Sequence, residues 1–194
     1  MKTYYERLAP HYDLAYLEPG DDRSERITWL RERQRLEEVL QGLAPARVLD
    51  VGCGTGFLTV QLRGEVFGLD TSPTMLEIAG QRLGRAKVIR GDALLLPFRT
   101  HSFDRIFSAH LYGHWLEDER GRFLEEARRV AREVIIVDSP RRPGQSQDEY
   151  WEERHVPDGS SHLIYKRYFD PELLAREVGG VILFSGQCFL AVAA

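Results

Sequence analysis

Arg47-Val48-Leu49-Asp50-Val51-Gly52-Cys53-Gly54-Thr55-Gly56 is the stretch on which the fold turns. Arg47 to Val51 has the apolar run of a buried strand, and Asp50 stands near its end. Gly52, Gly54 and Gly56 then remove three β-carbons before the helix-like run Phe57-Leu58-Thr59-Val60-Gln61-Leu62. Missing β-carbons let a ligand approach the backbone, and a helix N-terminus behind them can offer free N–H groups. A tight strand-to-helix turn would use the same glycines, so the pattern alone does not decide for a ligand.

The alternation continues downstream. Glu65-Val66-Phe67-Gly68-Leu69-Asp70 reads as a second strand, and Ser72-Pro73 as an N-cap with a first-turn proline. Met75, Leu76, Ile78 and Ala79 make the apolar face of the helix behind them. A third strand runs over Ala86–Arg90, followed by Gly91-Asp92-Ala93, and a fourth over Phe103–Ser108. Asp118 is expected to cap a helix bearing Phe123, Leu124, Ala127 and Val130, before a fifth strand at Glu133–Asp138. Asp170-Pro171 opens another helix, which Gly179 stops. Val181–Phe184 and Cys188–Val192, with Ser185-Gly186 between them, read as a terminal antiparallel hairpin. Upstream, Ile27, Leu30, Leu36, Val39, Leu40 and Leu43 recur at helical spacing across a charged segment from Asp22 to Gly42. Tyr4 to Gly20 reads as a short helix followed by a loop.

Strands alternating with helices imply right-handed crossovers and a mostly parallel sheet covered on both faces. Such sheets bind ligands at the carboxyl ends of their strands. Asp50, Asp70, Asp92 and the residues after Ser108 all fall at those ends, so the expectation is one shared site. A carboxylate at the position of Asp70 can accept both hydroxyls of a ribose, and Asp92 can reach an adenine amino group.

The bulk composition narrows the partners. The chain has 194 residues, 43% hydrophobic and 29% charged, which suits one domain with a real core. A formal net charge of −4 gives no general reason to expect nucleic acid or an acidic membrane as partner. The two cysteines, Cys53 and Cys188, form no C-x-x-C pair and argue against a disulfide framework or structural zinc. No apolar run has the length of a membrane span, and the opening residues lead into no apolar segment. The expectation is a cytoplasmic chain without a signal peptide, of undetermined oligomeric state.

The sequence resembles the class I S-adenosylmethionine-dependent methyltransferases, in particular small bacterial ones related to the ubiquinone and menaquinone C-methyltransferases. The resemblance rests on Val48–Gly56, Gly68-Leu69-Asp70-Thr71-Ser72, Gly91-Asp92-Ala93 through Leu96-Pro97-Phe98, Ser102-Phe103-Asp104, and the opening pair Tyr12-Asp13. It implies a Rossmann-like three-layer αβα sandwich with a mostly parallel seven-stranded sheet and an antiparallel C-terminal hairpin. It divides one domain, 1–194, into a helical lid (1–43), a cofactor-binding core (44–140), a substrate-facing insertion (141–169) and a terminal helix and hairpin (170–194). It implies S-adenosylmethionine as cofactor and S-adenosylhomocysteine as product. Asp50 would hold the methionine amino group, and the backbone from Gly52 through Cys53 and Gly54 to Gly56 would line the methionine and ribose. Asp70 with Thr71 would bind the ribose, and Met75 would pack on the adenine. Gly91, Asp92 and Ala93 would border the adenine edge. Ser108 and Ala109 would border the sulfonium, and Tyr12 would close over the cofactor.

The acceptor is less legible. His110 and His114 follow the fourth strand four residues apart and would share a face if that segment were helical. Either can serve as a general base, since histidine titrates near neutrality; shaping the pocket is the plainer role. The six histidines include no H-E-x-x-H motif of a zinc site. His11, His155 and His162 could reach the pocket from its covers, and Tyr112 and Trp115 could wall it or be core. Cys53 needs only to be small, and Cys188 reads as core. Arg141-Arg142 could meet an anionic substrate or lie in a solvated loop. Residues 141 to 169, with Tyr150, Trp151, His155, Tyr165 and Tyr168, are expected to recognise the acceptor together with Tyr4 to Gly20. No Asn-Pro-Pro-Tyr-like run follows Ser108 and no Pro-Cys pair is present, which favours a small-molecule acceptor over nucleic acid. Phe57 stands where a dinucleotide-binding G-x-G-x-x-G would need glycine, so a nicotinamide oxidoreductase ranks behind. A binding protein without catalysis remains a further alternative.

Overall fold

Strand β1 (Ala46–Val51) lies mid-sheet, paired in parallel with β2 (Gly64–Asp70) on one side and β4 (Arg105–Ala109) on the other. In this computed structural model, which describes residues 2–17, 22–142 and 144–194, β3 (Val88–Arg90) flanks β2 and β5 (Glu133–Asp138) flanks β4. Gly20, where the opening segment was read to end, lies outside the described residues. β6 (Glu149–His155) and β7 (Ser161–Arg167) form a separate two-stranded sheet. β8 (Val181–Ser185) and β9 (Leu190–Ala193) complete the main sheet in the order β3-β2-β1-β4-β5-β9-β8, with β9 antiparallel to both neighbours.

Both faces of the sheet are covered, which is why its strands are apolar almost without interruption. In β5, Val134 and Ile136 point to one face while Ile135 and Val137 point to the other. On the first face they meet Phe123, Leu124, Ala127 and Val130 of α5 (Glu117–Val130) and Leu174 and Val178 of α6 (Pro171–Val178). On the second they meet Leu36 and Leu40 of α3 (Arg23–Gly42). Helix α3 starts where its sequence says it should, because Asp22 accepts hydrogen bonds from the N–H groups of Ser24 and Glu25, both at 2.9 Å. Ser72 caps α4 (Pro73–Leu83) through the Met75 N–H, Asp170 caps α6, and Gly179 ends α6 at φ 67°.

Four local expectations give way. The helix over Phe57–Leu62 is a single 3-10 turn, Thr59–Gln61. With β2 opening at Gly64, residues 52–63 must make the whole crossover, and positive φ at Gly52, Gly54 and Gly56 consumes the first part of it. Asp118 is not the cap of α5. That helix begins at Glu117, and Glu119 reaches back to accept from the Leu116 N–H at 3.1 Å. β3 is shorter than expected because Arg85–Lys87 curl into a 3-10 turn. The fourth strand begins two residues late because Asp104 turns its carboxylate to the Arg47 N–H at 2.8 Å.

The covers are more ordered than a loop reading allows. α1 (Lys2–Leu8) is followed by a 3-10 turn at Ala9–His11 and α2 (Leu14–Leu17). Within residues 141–169, β6 and β7 pair around Pro157-Asp158-Gly159, where Gly159 takes φ 86° and donates to Val156 at 2.9 Å. That Pro-Asp-Gly turn was the unread signal for the hairpin. The hairpin packs on α1 through Tyr4, Val156 and Ile164.

Candidate active site at the carboxyl ends of the strands

The carboxyl ends of β1, β2 and β4, with the turn after β3, surround a cleft of about 310 Å³. Gly52, Gly54, Asp70, Thr71, Met75, Gly91, Asp92, Ala93, Ala109 and Tyr12 all line it, as does His110. Asp70 is held by the N–H groups of Gly54 at 3.0 Å and Ser72 at 2.9 Å, and burial lifts its carboxyl above the usual range. Asp92 accepts from the Leu94 N–H at 3.0 Å.

The glycine loop works differently from a helix N-terminus. Four of its N–H groups are already spent: Gly52 and Cys53 donate to Leu69, Gly54 to Asp70 and Gly56 to Cys53. The loop supplies space instead. Gly54 sits at φ 53°, and a β-carbon there would point between Tyr12 Cε1 at 3.6 Å and Met75 Sδ at 3.8 Å, two walls of the cleft.

Four of the expected residues do not line the cleft. Cys53 is turned into a small cluster with Leu76 and Ala79, and burial pushes its thiol well up. Gly56 lets the loop close on α4, where a β-carbon would meet Ala79 at 3.5 Å. Ser108 is fully buried and donates to the Val51 carbonyl at 2.9 Å, tying β4 to β1. Asp50 is buried beside Thr59, whose hydroxyl donates to Oδ2 at 2.6 Å, while its Oδ1 has no partner among the described residues. Burial, with the Asp70 charge adding, pushes Asp50 up to about 7.

A second cavity, of about 300 Å³, opens under the covers. It shares Tyr5, Tyr12 and His110 with the first, so the two abut at those three side chains. His11, His114, Arg142, Tyr168 and Cys188 also line it. Tyr150, Trp151, Tyr165, His155 and His162 do not; Trp151 is exposed, and His155 pairs with Ser161 at 2.7 Å. Trp115 walls the first cavity rather than the second. Tyr112 is core, its hydroxyl donating at 2.6 Å to Glu177, which also takes buried Arg120 at 2.7 Å. Arg141 pairs with Asp148 at 2.8 Å instead of facing the cavity.

His110 and His114 share no helical face. His110 stands at φ 55°, a backbone state that costs a non-glycine residue roughly 1–2 kcal/mol, and its N–H is pinned to Val137 at 2.8 Å. Tyr112–His114 then form a 3-10 turn. Burial, with a contribution from Lys166, brings His110 down to about 4 and His114 to about 3, so both imidazoles are neutral at pH 7.

Side chains of the amino-terminal cover latch it to the core, and one of them, Glu6, carries no sequence signal of that role. Glu6 accepts from the hydroxyls of Ser72 and Thr74 at the start of α4. Asp13 accepts from Thr55 in the glycine loop at 2.6 Å and pairs with Arg82, which also donates to the Thr55 carbonyl at 2.9 Å. Among the described residues no helix is long and apolar enough to cross a membrane, and no group of three or more His, Cys, Asp or Glu is placed to hold a metal ion.

Sheet order and cleft together define a class I, Rossmann-like methyltransferase fold. Residues 49–134 match the methyltransferase domain family, and the chain is similar to quinone C-methyltransferases. It is 39% identical over 133 residues to the demethylmenaquinone methyltransferase of Thermotoga maritima, covering 65% of this chain and 54% of that protein. It is 29% identical over 179 residues to the demethylmenaquinone methyltransferase of Thermus thermophilus, covering 85% of this chain and 71% of that protein. The chain thus spans about half the length of the first relative. Among solved structures it superposes on the DhpI-SAM-HEP complex with a TM-score of 0.73 and 25% identity, over 98% of this chain and 94% of that one.

Proposed function

We propose that the chain is an S-adenosylmethionine-dependent methyltransferase acting on a small-molecule acceptor in the reduced cytoplasm. The observation that carries this reading is the meeting of two cavities at Tyr5, Tyr12 and His110, one of them lined by the aspartates and glycines of the strand ends. The chain's residues fit the cofactor. Asp50 Oδ1, buried behind the cleft lining, is an acceptor without a partner among the described residues, suited to an ammonium, and the space beside Gly54 is walled by Met75 and Tyr12.

Asp70, fixed by two backbone N–H groups, would take the ribose hydroxyls; Met75 would pack on the adenine, with Gly91, Asp92 and Ala93 at its edge. When bound, the cofactor supplies a methyl made electrophilic by its sulfonium: the acceptor atom bonds to that carbon as the carbon–sulfur bond breaks, and the electron pair stays on sulfur to give S-adenosylhomocysteine. The protein's part is alignment, exclusion of water by residues 1–43 and 141–169, and proton removal where the acceptor carries one. His110 is the better placed base, since it lines both cavities and its Nε2 has no partner among the described residues.

Transfer of labelled methyl into a metabolite extract, with mass spectrometry of the labelled products, tests the reading. Label in RNA, with strongly salt-dependent binding, would make the chain a nucleic-acid methyltransferase. Tight cofactor binding without any labelled product would make it a binding protein.

A further inference from the structure

Among the described residues three cationic side chains, Arg142, Arg154 and Lys166, line the second cavity and no carboxylate does, in a chain of net charge −4. The carboxylates that partner two of these cations stand outside the lining. One oxygen of Glu152 takes both Nε and Nη2 of Arg154, and Asp138 takes Lys166 at 2.5 Å. Nη1 of Arg154 is left uncommitted among the described residues, and the Arg142 side chain has no ion pair or hydrogen bond among them. Trp29 lines the same cavity, and its buried indole N–H has no partner among the described residues. The positive charge is felt on the walls: Arg154 and Lys166 both help hold the His114 imidazole unprotonated.

The walls are also aromatic, with Tyr4, Tyr5, Tyr12, Tyr16 and Tyr168. Aromatic walls alone would suit an amine through cation–π attraction. An ammonium entering here would meet the unpaired Arg142 charge and two cations already paired with carboxylates behind them, with no carboxylate in the lining among the described residues, so the charge pattern is against it.

We propose that the methyl acceptor is a small oxyanion, a molecule bearing a carboxylate or phosphoryl group, held by Arg142, Arg154 and the Trp29 N–H with its accepting atom toward Tyr5 and His110. The inference rests on the methyltransferase reading above and specifies its substrate class. A cavity of about 300 Å³ lies at the small end of ligand sites, so the acceptor is compact.

Calorimetry on the full chain separates the two levels. S-adenosylhomocysteine is titrated first; no binding overturns the methyltransferase reading itself. The loaded protein is then titrated with sodium benzoate, inorganic phosphate and benzylamine. At least one anion is expected to bind, more weakly at 500 mM than at 50 mM salt, on the order of tenfold weaker in both Arg142→Gln and Arg154→Gln, with benzylamine silent. Benzoate alone marks a carboxylate acceptor and phosphate alone a phosphoryl one. Thermal melts of both variants check folding, and Arg142 is exposed, so its variant tests the idea even if Arg154→Gln fails to fold. Binding of benzylamine in place of the anions, binding of neither, or anion affinity unchanged in a folded variant (an adventitious ion only) would overturn the oxyanion assignment while leaving the cofactor site standing.

Discussion

The Tyr5 hydroxyl donates to Nε2 of His114 across 2.8 Å, and the partner of the other ring nitrogen sets that direction. His114 Nδ1 lies 2.7 Å from the Tyr165 carbonyl, which only accepts, so Nδ1 carries the proton and Nε2 is the acceptor. Both nitrogens are committed, and the pair ties α1 to β7 through the core side of the cavity. His114 therefore positions Tyr5, while His110 lines the junction and its buried Nε2 has no partner among the described residues.

Replacing His110 with Ala is expected to lower turnover by about 10²–10⁴-fold for a protic acceptor, with S-adenosylhomocysteine affinity near wild type. With His110 near 4, its own titration should add no limb to kcat/KM between pH 6 and 8 and lower it only in acid. Steady-state kinetics across pH decides. A limb near neutrality that His110→Ala abolishes would contradict the neutral imidazole, and unchanged turnover would leave catalysis to alignment alone.

Asp70→Ala should weaken S-adenosylmethionine and S-adenosylhomocysteine by about 1.5–3 kcal/mol, the loss of charge-assisted hydrogen bonds. It also frees the N–H groups of Gly54 and Ser72, so the melting temperature should fall with the affinity. Calorimetric affinity equal to wild type would remove Asp70 from the site.

Gly54→Val and Gly64→Val should fail in different ways. A side chain at Gly54 enters open cleft between Tyr12 and Met75, so cofactor affinity should collapse with a smaller loss of stability from the positive φ. At Gly64 a β-carbon would lie 2.1 Å from the Ala46 carbonyl oxygen, so the β1–β2 pairing itself breaks. Melting temperature and cofactor titration on both variants separate the cases; retained affinity in Gly54→Val would make that glycine structural only.

Asp50 should make stability depend on pH. Its carboxyl titrates near 3.8 when unfolded and near 7 when folded, so between those values the folded chain holds a proton the unfolded chain has lost. Stability contributed by this group is full below pH 3.8 and is lost as pH rises through 7, by about 4 kcal/mol at most. Asp50→Asn should match wild type in acid and exceed it above pH 7 in chemical denaturation; parallel curves would refute the shift. If Asp50 meets the cofactor's amino group, binding at pH 7 releases a proton, and calorimetric enthalpies should differ between Tris and phosphate buffers.

The order of the main-sheet strands and helices, the helix starts at Ser72 and Asp170, and the three aspartates at strand ends were legible in the sequence, because each depends on residues within a few positions of one another. Asp70, Asp92, Met75 and Gly54 could be assigned to one cleft because parallel α/β topology brings consecutive strand ends together. The direction of individual side chains was not legible. Cys53, Gly56 and Ser108 lie inside or beside the same motifs yet face the packing, since alternate residues of a strand or tight loop turn to opposite sides. Tyr112 and Trp115 likewise sit three apart around a 3-10 turn, and both are buried in the core while only Trp115 also walls the cleft. The β6–β7 hairpin was announced by Pro157-Asp158-Gly159, but its seat on α1 was not. The Tyr5–His114 bond joins positions 109 residues apart, and the neutrality of His110 and His114 follows from burial among distant elements. Periodicity and capping are local and survive in one dimension, whereas desolvation and long-range hydrogen bonding exist only once the chain has closed around the site.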